Sequence, residues 1–78
     1  MNTYTHITID DKKVLVYERM KNNENALYHL NIGLIESNTN GATSDEVDQI
    51  NEGIARAQAN MITLSNILDN LNNNIDLV

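Results

Sequence analysis

Apolar residues recur through the second half of the chain at Val47, Ile50, Ile54, Ala57, Met61, Leu64, Leu68, Leu71 and Ile75, with spacings that alternate three and four without a break. A mean period of three and a half residues brings all of them to one side of an α-helix, as in a coiled-coil seam. The spacing predicts a helix from about residue 44 to about residue 75. Its start is marked by Thr43-Ser44-Asp45-Glu46, a hydroxyl followed three residues later by a carboxylate, which is the pattern of a capping box. Asp45, Glu46 and Asp48 then lie at the positive end of the helix dipole. No Lys or Arg follows near the carboxyl end, so the last turn is expected to fray.

The positions beside this stripe, among them Asn51, Gly53, Gln58, Asn60 and Ser65, are small or uncharged. A two-stranded coiled coil carries Glu and Lys there, so the pattern predicts a bundle in which the helix has more than one neighbour. Gly53 and Ala57 permit close approach of a second backbone.

An earlier segment repeats the spacing less cleanly. Met20, Asn23, Leu27, Leu30 and Leu34 are in register, with Val16 before them, and predict a helix over about 17–37. A second stripe, Tyr28, Ile32 and Ile35, lies on a neighbouring face. Two apolar faces imply two sets of neighbours, one on the long helix and one on a second subunit. The polar run Asn22-Asn23-Glu24-Asn25 marks a weak point where a kink or break is expected. Between the helices, Asn38-Thr39-Asn40-Gly41-Ala42 is a short polar loop in which Gly41 supplies the positive φ a helix end needs. Such a connection predicts an antiparallel pair.

Residues 1–19 admit two readings. Tyr4 to Ile9 alternates, Asp10-Asp11-Lys12-Lys13 is turn-like, and Val14-Leu15-Val16-Tyr17 is rich in strand formers. Together these read as a β-hairpin, or at least an extended segment, and this reading is preferred. In the competing reading Thr8 and Asp11 form a capping box, and the first helix starts at about residue 9. The fold class is therefore mainly α: a short N-terminal β-hairpin or extended segment, then an antiparallel helical hairpin. All 78 residues form a single small domain.

Composition narrows the classes further. A chain this short buries only about 60% of its unfolded surface and often needs a staple or a partner. It has no cysteine, so no disulfide or thiolate zinc site is available, and oligomerisation is the remaining route to a sufficient core. No signal-like or membrane-spanning run is present, so a cytoplasmic protein with no membrane partner is expected.

The net charge is −6, split as −1 over residues 1–43 and −5 over residues 44–78. Without a concentrated basic face, nucleic-acid binding is disfavoured, and the six acids of the second half are sparse for duplex mimicry. The abundance of Asn and Ile, with small size and acidity, is a composition common among accessory proteins of phages and mobile elements.

Little points to chemistry. His6 and His29 stand alone and read as surface residues rather than bases or metal ligands. No nucleophile, histidine and acid fall at a motif spacing, and the three glycines form no phosphate-cradling loop. No catalytic, cofactor or metal residue is assigned. One sharper arrangement is Lys12, Lys13, Arg19 and Lys21, which would gather around a shared cleft in an oligomer and hold a phosphorylated, nucleotide-like ligand with Tyr4 or Tyr17 stacking on a base. A solvated turn and helix start, pairing with Glu18 and Glu24, explains the same residues with fewer assumptions. The expected function is a non-enzymatic protein-interaction module, a regulator or inhibitor of a larger protein, with Tyr28, Ile32 and Ile35 as the partner-binding surface. The alternatives are the phosphorylated-ligand binder and a structural assembly subunit.

Overall fold

The computed structural model describes residues 5–76. Two helices account for nearly all of them: α1, Ile9–Asn40, and α2, Ser44–Asn72, packed as an antiparallel hairpin. There is no strand among the described residues.

The expected N-terminal β-hairpin is thus replaced by two additional turns of α1. Its first arm falls partly on residues 1–4, outside the described residues, and its second, Val14 to Tyr17, is helical. The cause is local. The Asp11 N–H donates to Thr8 Oγ1 at 3.1 Å, and the Thr8 N–H donates to the Asp11 carboxylate at 3.0 Å, a complete capping box. Asp10 and Asp11 also sit in the first turn, where the helix dipole favours negative charge. A hairpin in these residues would be marginal without a larger sheet, whereas the helix carries Val16 directly into the core. Strand propensity at four positions loses to the cap and the continued stripe.

The expected break at Asn22 to Asn25 is also absent, and α1 runs through it as one 32-residue helix. Asn23 turns its amide across the helix interface and donates to the Ala57 carbonyl at 2.6 Å. A polar residue in the core-facing stripe is satisfied there instead of disrupting its own helix.

Both helices end with the same device. Gly41 adopts φ 71°, and the Ala42 N–H donates to the Ser37 carbonyl at 2.9 Å. After α2, Asn74 adopts φ 60°, and the Ile75 N–H donates to the Asn70 carbonyl at 2.8 Å. These are the six-to-one bonds of a Schellman motif, with Gly and then Asn at the left-handed position. The first shortens the interhelical loop to Gly41–Thr43. The second stops α2 at Asn72, so Ile75 lies beyond the helix and is exposed rather than part of its stripe. At the start of α2, the Glu46 N–H donates to Thr43 Oγ1 at 3.3 Å, the N-cap half of the expected box.

The two stripes meet along the hairpin. Val16, Ala57, Leu68 and Leu71 are the most buried, and Ile9, Met20, Leu64 and Ile67 pack on the Val16/Leu68/Leu71 cluster near the open end. In the middle the helices come close: a Cβ on Gly53 would stand 3.1 Å from a Leu30 methyl, tighter than ordinary van der Waals contact. The open end is tied by an ion pair from Lys12 to Asp76, both largely covered. This joins the first turn of α1 to the chain just past α2.

Two measurements probe this packing. Gly33→Ala adds a methyl at ordinary contact distance, 3.9 Å from Ile50, and should stabilise the hairpin by about 0.5–1 kcal/mol through helix propensity. Gly53→Val forces branched bulk onto Leu30 and should destabilise by about 1–3 kcal/mol. Thermal unfolding of the pair reads both signs, and equal shifts would refute the close approach at Gly53. Separately, Asp76→Asn should raise amide exchange in the last turns of α2 while leaving its first half unchanged. An unaltered exchange profile would mean the Lys12–Asp76 pair does not hold the open end.

Candidate functional site

A two-helix hairpin is a rod with two long side faces, and the sequence makes them different. The molecule measures 52 × 18 × 16 Å. At 100° per residue, positions flanking the core-facing stripe divide into one set on each side of the rod.

On one side, Arg19, Asn22, Asn23 and Ala26 of α1 face Asn60, Thr63, Leu64 and Ile67 of α2 across a shallow groove. Nearer the loop the same side continues as a second hollow lined by Gly33, Glu36, Ser37, Glu46 and Ile50, among others. This face is mixed, with amides and hydroxyls interleaved with Ala26, Leu64, Ile67 and Ile50, and few charges.

The opposite side carries five of the seven large apolar residues left exposed among the described residues, Leu15 and Ile75 being the other two. Val14, Tyr17, Tyr28 and Ile35 of α1 and Ile62 of α2 are each between 56% and 68% exposed. On α1 these positions are separated by three, eleven and seven residues, spacings that return to one stripe of a helix. Ile32, half-buried, lies beside Tyr28 and Ile35 in the same stripe. Ile62 takes the corresponding flank of α2, away from the groove that Asn60, Thr63 and Ile67 line. The expected partner-binding residues Tyr28, Ile32 and Ile35 therefore stand together. Val14, Tyr17 and Ile62 extend them, and sequence reasoning did not assign these three. Val14 and Tyr17 belong to the expected strand, and Ile62, like Ile67, lies outside the α2 stripe. The signal that finds the first two is their helical spacing from Tyr28, once helix α1 is extended back to residue 9.

The surface is larger than a compact chain leaves. The accessible area is 5925 Å², against about 4,800 Å² for a compact monomer of this mass. The radius of gyration is 16.8 Å, where about 11.5 Å is usual for this length.

The four cations are not gathered in one chain. Lys12 is paired with Asp76, and Lys13 stands 3.9 Å from Asp10. Arg19 lies on the groove side, and Lys21, two residues on, falls on the apolar side. Tyr17 is on the apolar side with Lys21, and Tyr4 lies outside the described residues. His6 and His29 are both exposed. Among the described residues no group of three His, Asp or Glu side chains is placed to hold a metal ion, and no helix is long and apolar enough to cross a membrane. Comparison of the chain with protein-family models, with curated proteins and with solved structures gives no match.

Proposed function

We propose that this chain is a non-enzymatic helical interaction module that works by packing its apolar side against other helices, copies of itself included. The observation that supports this reading is the grouping of Val14, Tyr17, Tyr28, Ile35 and Ile62, all well exposed, on one side of the rod. Those five residues together expose on the order of 600 Å², an amount comparable to the largest apolar patch on an ordinary monomer, in groups divided by Lys21 and Glu24. Such a surface is costly to leave in water and rewards any helical partner that covers it. Tyrosines near the middle and open end of the stripe suit it to recognition, since they bury much area with few rotatable bonds.

In this reading the protein acts by occupancy: it blocks or organises a partner surface, as a small regulator or inhibitor does, in a cytoplasmic setting. The grooved side offers hydrogen-bonding groups but little charge, which gives a phosphorylated ligand only Arg19 to pair with there. Phosphate recognition draws support from Lys12, Lys13, Arg19 and Lys21 only where a second chain brings them together.

Light scattering after gel filtration, across a wide concentration range, tests the reading. Wild-type protein should elute above monomer mass, and Ile35→Asp should drop toward monomer with its far-ultraviolet helix signal retained. Equal masses above that of the monomer for the two proteins would remove the Tyr28/Ile32/Ile35 side as the self-association surface.

A further inference from the structure

The apolar stripe of α1 is symmetric about the middle of its helix. The midpoint of Ile9–Asn40 falls between Glu24 and Asn25. Val14 and Ile35 lie at equal distances on either side of it, as do Tyr17 and Ile32, and as do Lys21 and Tyr28. A two-fold axis across the rod at this point would therefore set Val14 of one chain against Ile35 of another, and Tyr17 against Ile32. Lys21 would be brought level with the face of Tyr28, an arrangement that favours a cation–π contact. Residues that meet in reciprocal pairs are what an isologous interface requires.

Charge along the rod disfavours the opposite orientation. The loop half, residues 25–60, carries Glu36, Asp45, Glu46, Asp48 and Glu52 against Arg56 alone, a balance of −4. The open half carries Lys12, Lys13, Arg19 and Lys21 against Asp10, Asp11, Glu18, Glu24, Asp69 and Asp76, a balance of −2. Antiparallel rods lay the more acidic half of each chain along the less acidic half of the other, where four of the five cations lie. Parallel rods would stack the two acidic halves and would set Lys21 on Lys21 and Asp48 on Asp48, which like-charge repulsion opposes.

We propose that the occupant of the apolar side is a second copy of this chain, antiparallel to the first, forming a four-helix dimer about a two-fold axis near residues 24 and 25 of α1. This rests on the interaction-module reading above and gives it a partner, an orientation and a set of paired residues. Area permits it: full coverage of two such surfaces would bury on the order of 1,200 Å² together, which reaches the lower bound of a specific, stable interface.

Because the chain contains no cysteine, introduced thiols report the geometry without background. Val14→Cys and Ile35→Cys are made separately at exposed positions, checked for unchanged helix signal, mixed, and oxidised gently. The dimer predicts a mixed Val14→Cys/Ile35→Cys disulfide at least several-fold in excess of either like-with-like product, with dimer mass for the wild type before any cross-linking. Dimer mass with like-with-like disulfides dominating would overturn the antiparallel orientation and leave the interaction-module reading standing. Dimer mass with no disulfide in any mixture would place the interface on another side and overturn this arrangement. Monomer mass for the wild type at all concentrations would overturn both the dimer and the self-association on which it rests.

Discussion

The whole molecule depends on a single helix–helix interface. In a bundle of three or four helices each element is held from two directions, but in a two-helix hairpin each has one neighbour and can bury only one stripe. The consequence is a thin core: among the described residues Val16, Ala57, Leu68 and Leu71 alone are closed off from solvent. Everything else in the structure serves to hold that contact in register. The Asn23 amide on the Ala57 carbonyl pins the middle, Gly53 lets Leu30 settle against the opposite backbone, and Lys12 with Asp76 ties the open end. A part-buried polar bond in the middle of a hydrophobic stripe adds little net energy, but it penalises a slipped register that would leave the amide unpaired.

End chemistry matters more than usual in such a rod, since a long helix with one neighbour gains little from packing at its tips. Thr8 and Asp11 satisfy the first turn of α1, Thr43 caps α2, and left-handed residues at Gly41 and Asn74 close the carboxyl ends. The stops at Gly41 and Asn74 also set the lengths of the two helices, and thereby which residues can face each other. Asn74 tolerates the left-handed region because its short polar side chain suits it, and it ends α2 before Ile75, though the apolar spacing continues to that residue. Apolar periodicity reports what a helix would bury if it continued, and it is silent about where the backbone turns.

That distinction explains what was legible in the sequence. The α2 stripe was readable because its spacing is unbroken, its N-cap is explicit, and nothing competes with it. The second face of α1 was readable at Tyr28, Ile32 and Ile35, where the surrounding helix was already secure. Residues 9–16 were not, because two local signals disagreed. Val14, Leu15, Val16 and Tyr17 favour strands as a set, while Thr8 and Asp11 favour a helix start by two specific hydrogen bonds. Composition-based propensity is spread over many residues and worth tenths of a kcal/mol at each, roughly 1 kcal/mol at most, so a completed cap and one buried Val outweigh it. The dispersal of the four cations was illegible for a related reason. Their grouping depends on the rotation of α1, and that is known only once its first residue is.

The misleading strand formers carry the functional argument in the end. Valine, isoleucine and tyrosine are indifferent helix residues, and at a solvent-facing position a helix gains from Ala, Glu, Lys or Arg instead. Val14, Tyr17, Tyr28, Ile35 and Ile62 thus each cost α1 or α2 some intrinsic stability while burying little within the hairpin. Scattered around a helix, such residues would need no explanation. Here five of them return to one side, while the opposite side at the same height along the rod mixes Asn22, Asn60 and Thr63 with Leu64 and Ile67. A fold with so thin a core gains nothing from that segregation unless the apolar side is covered. Coverage by another helical surface turns the same residues from a cost in propensity and hydration into the second interface that a two-helix chain lacks.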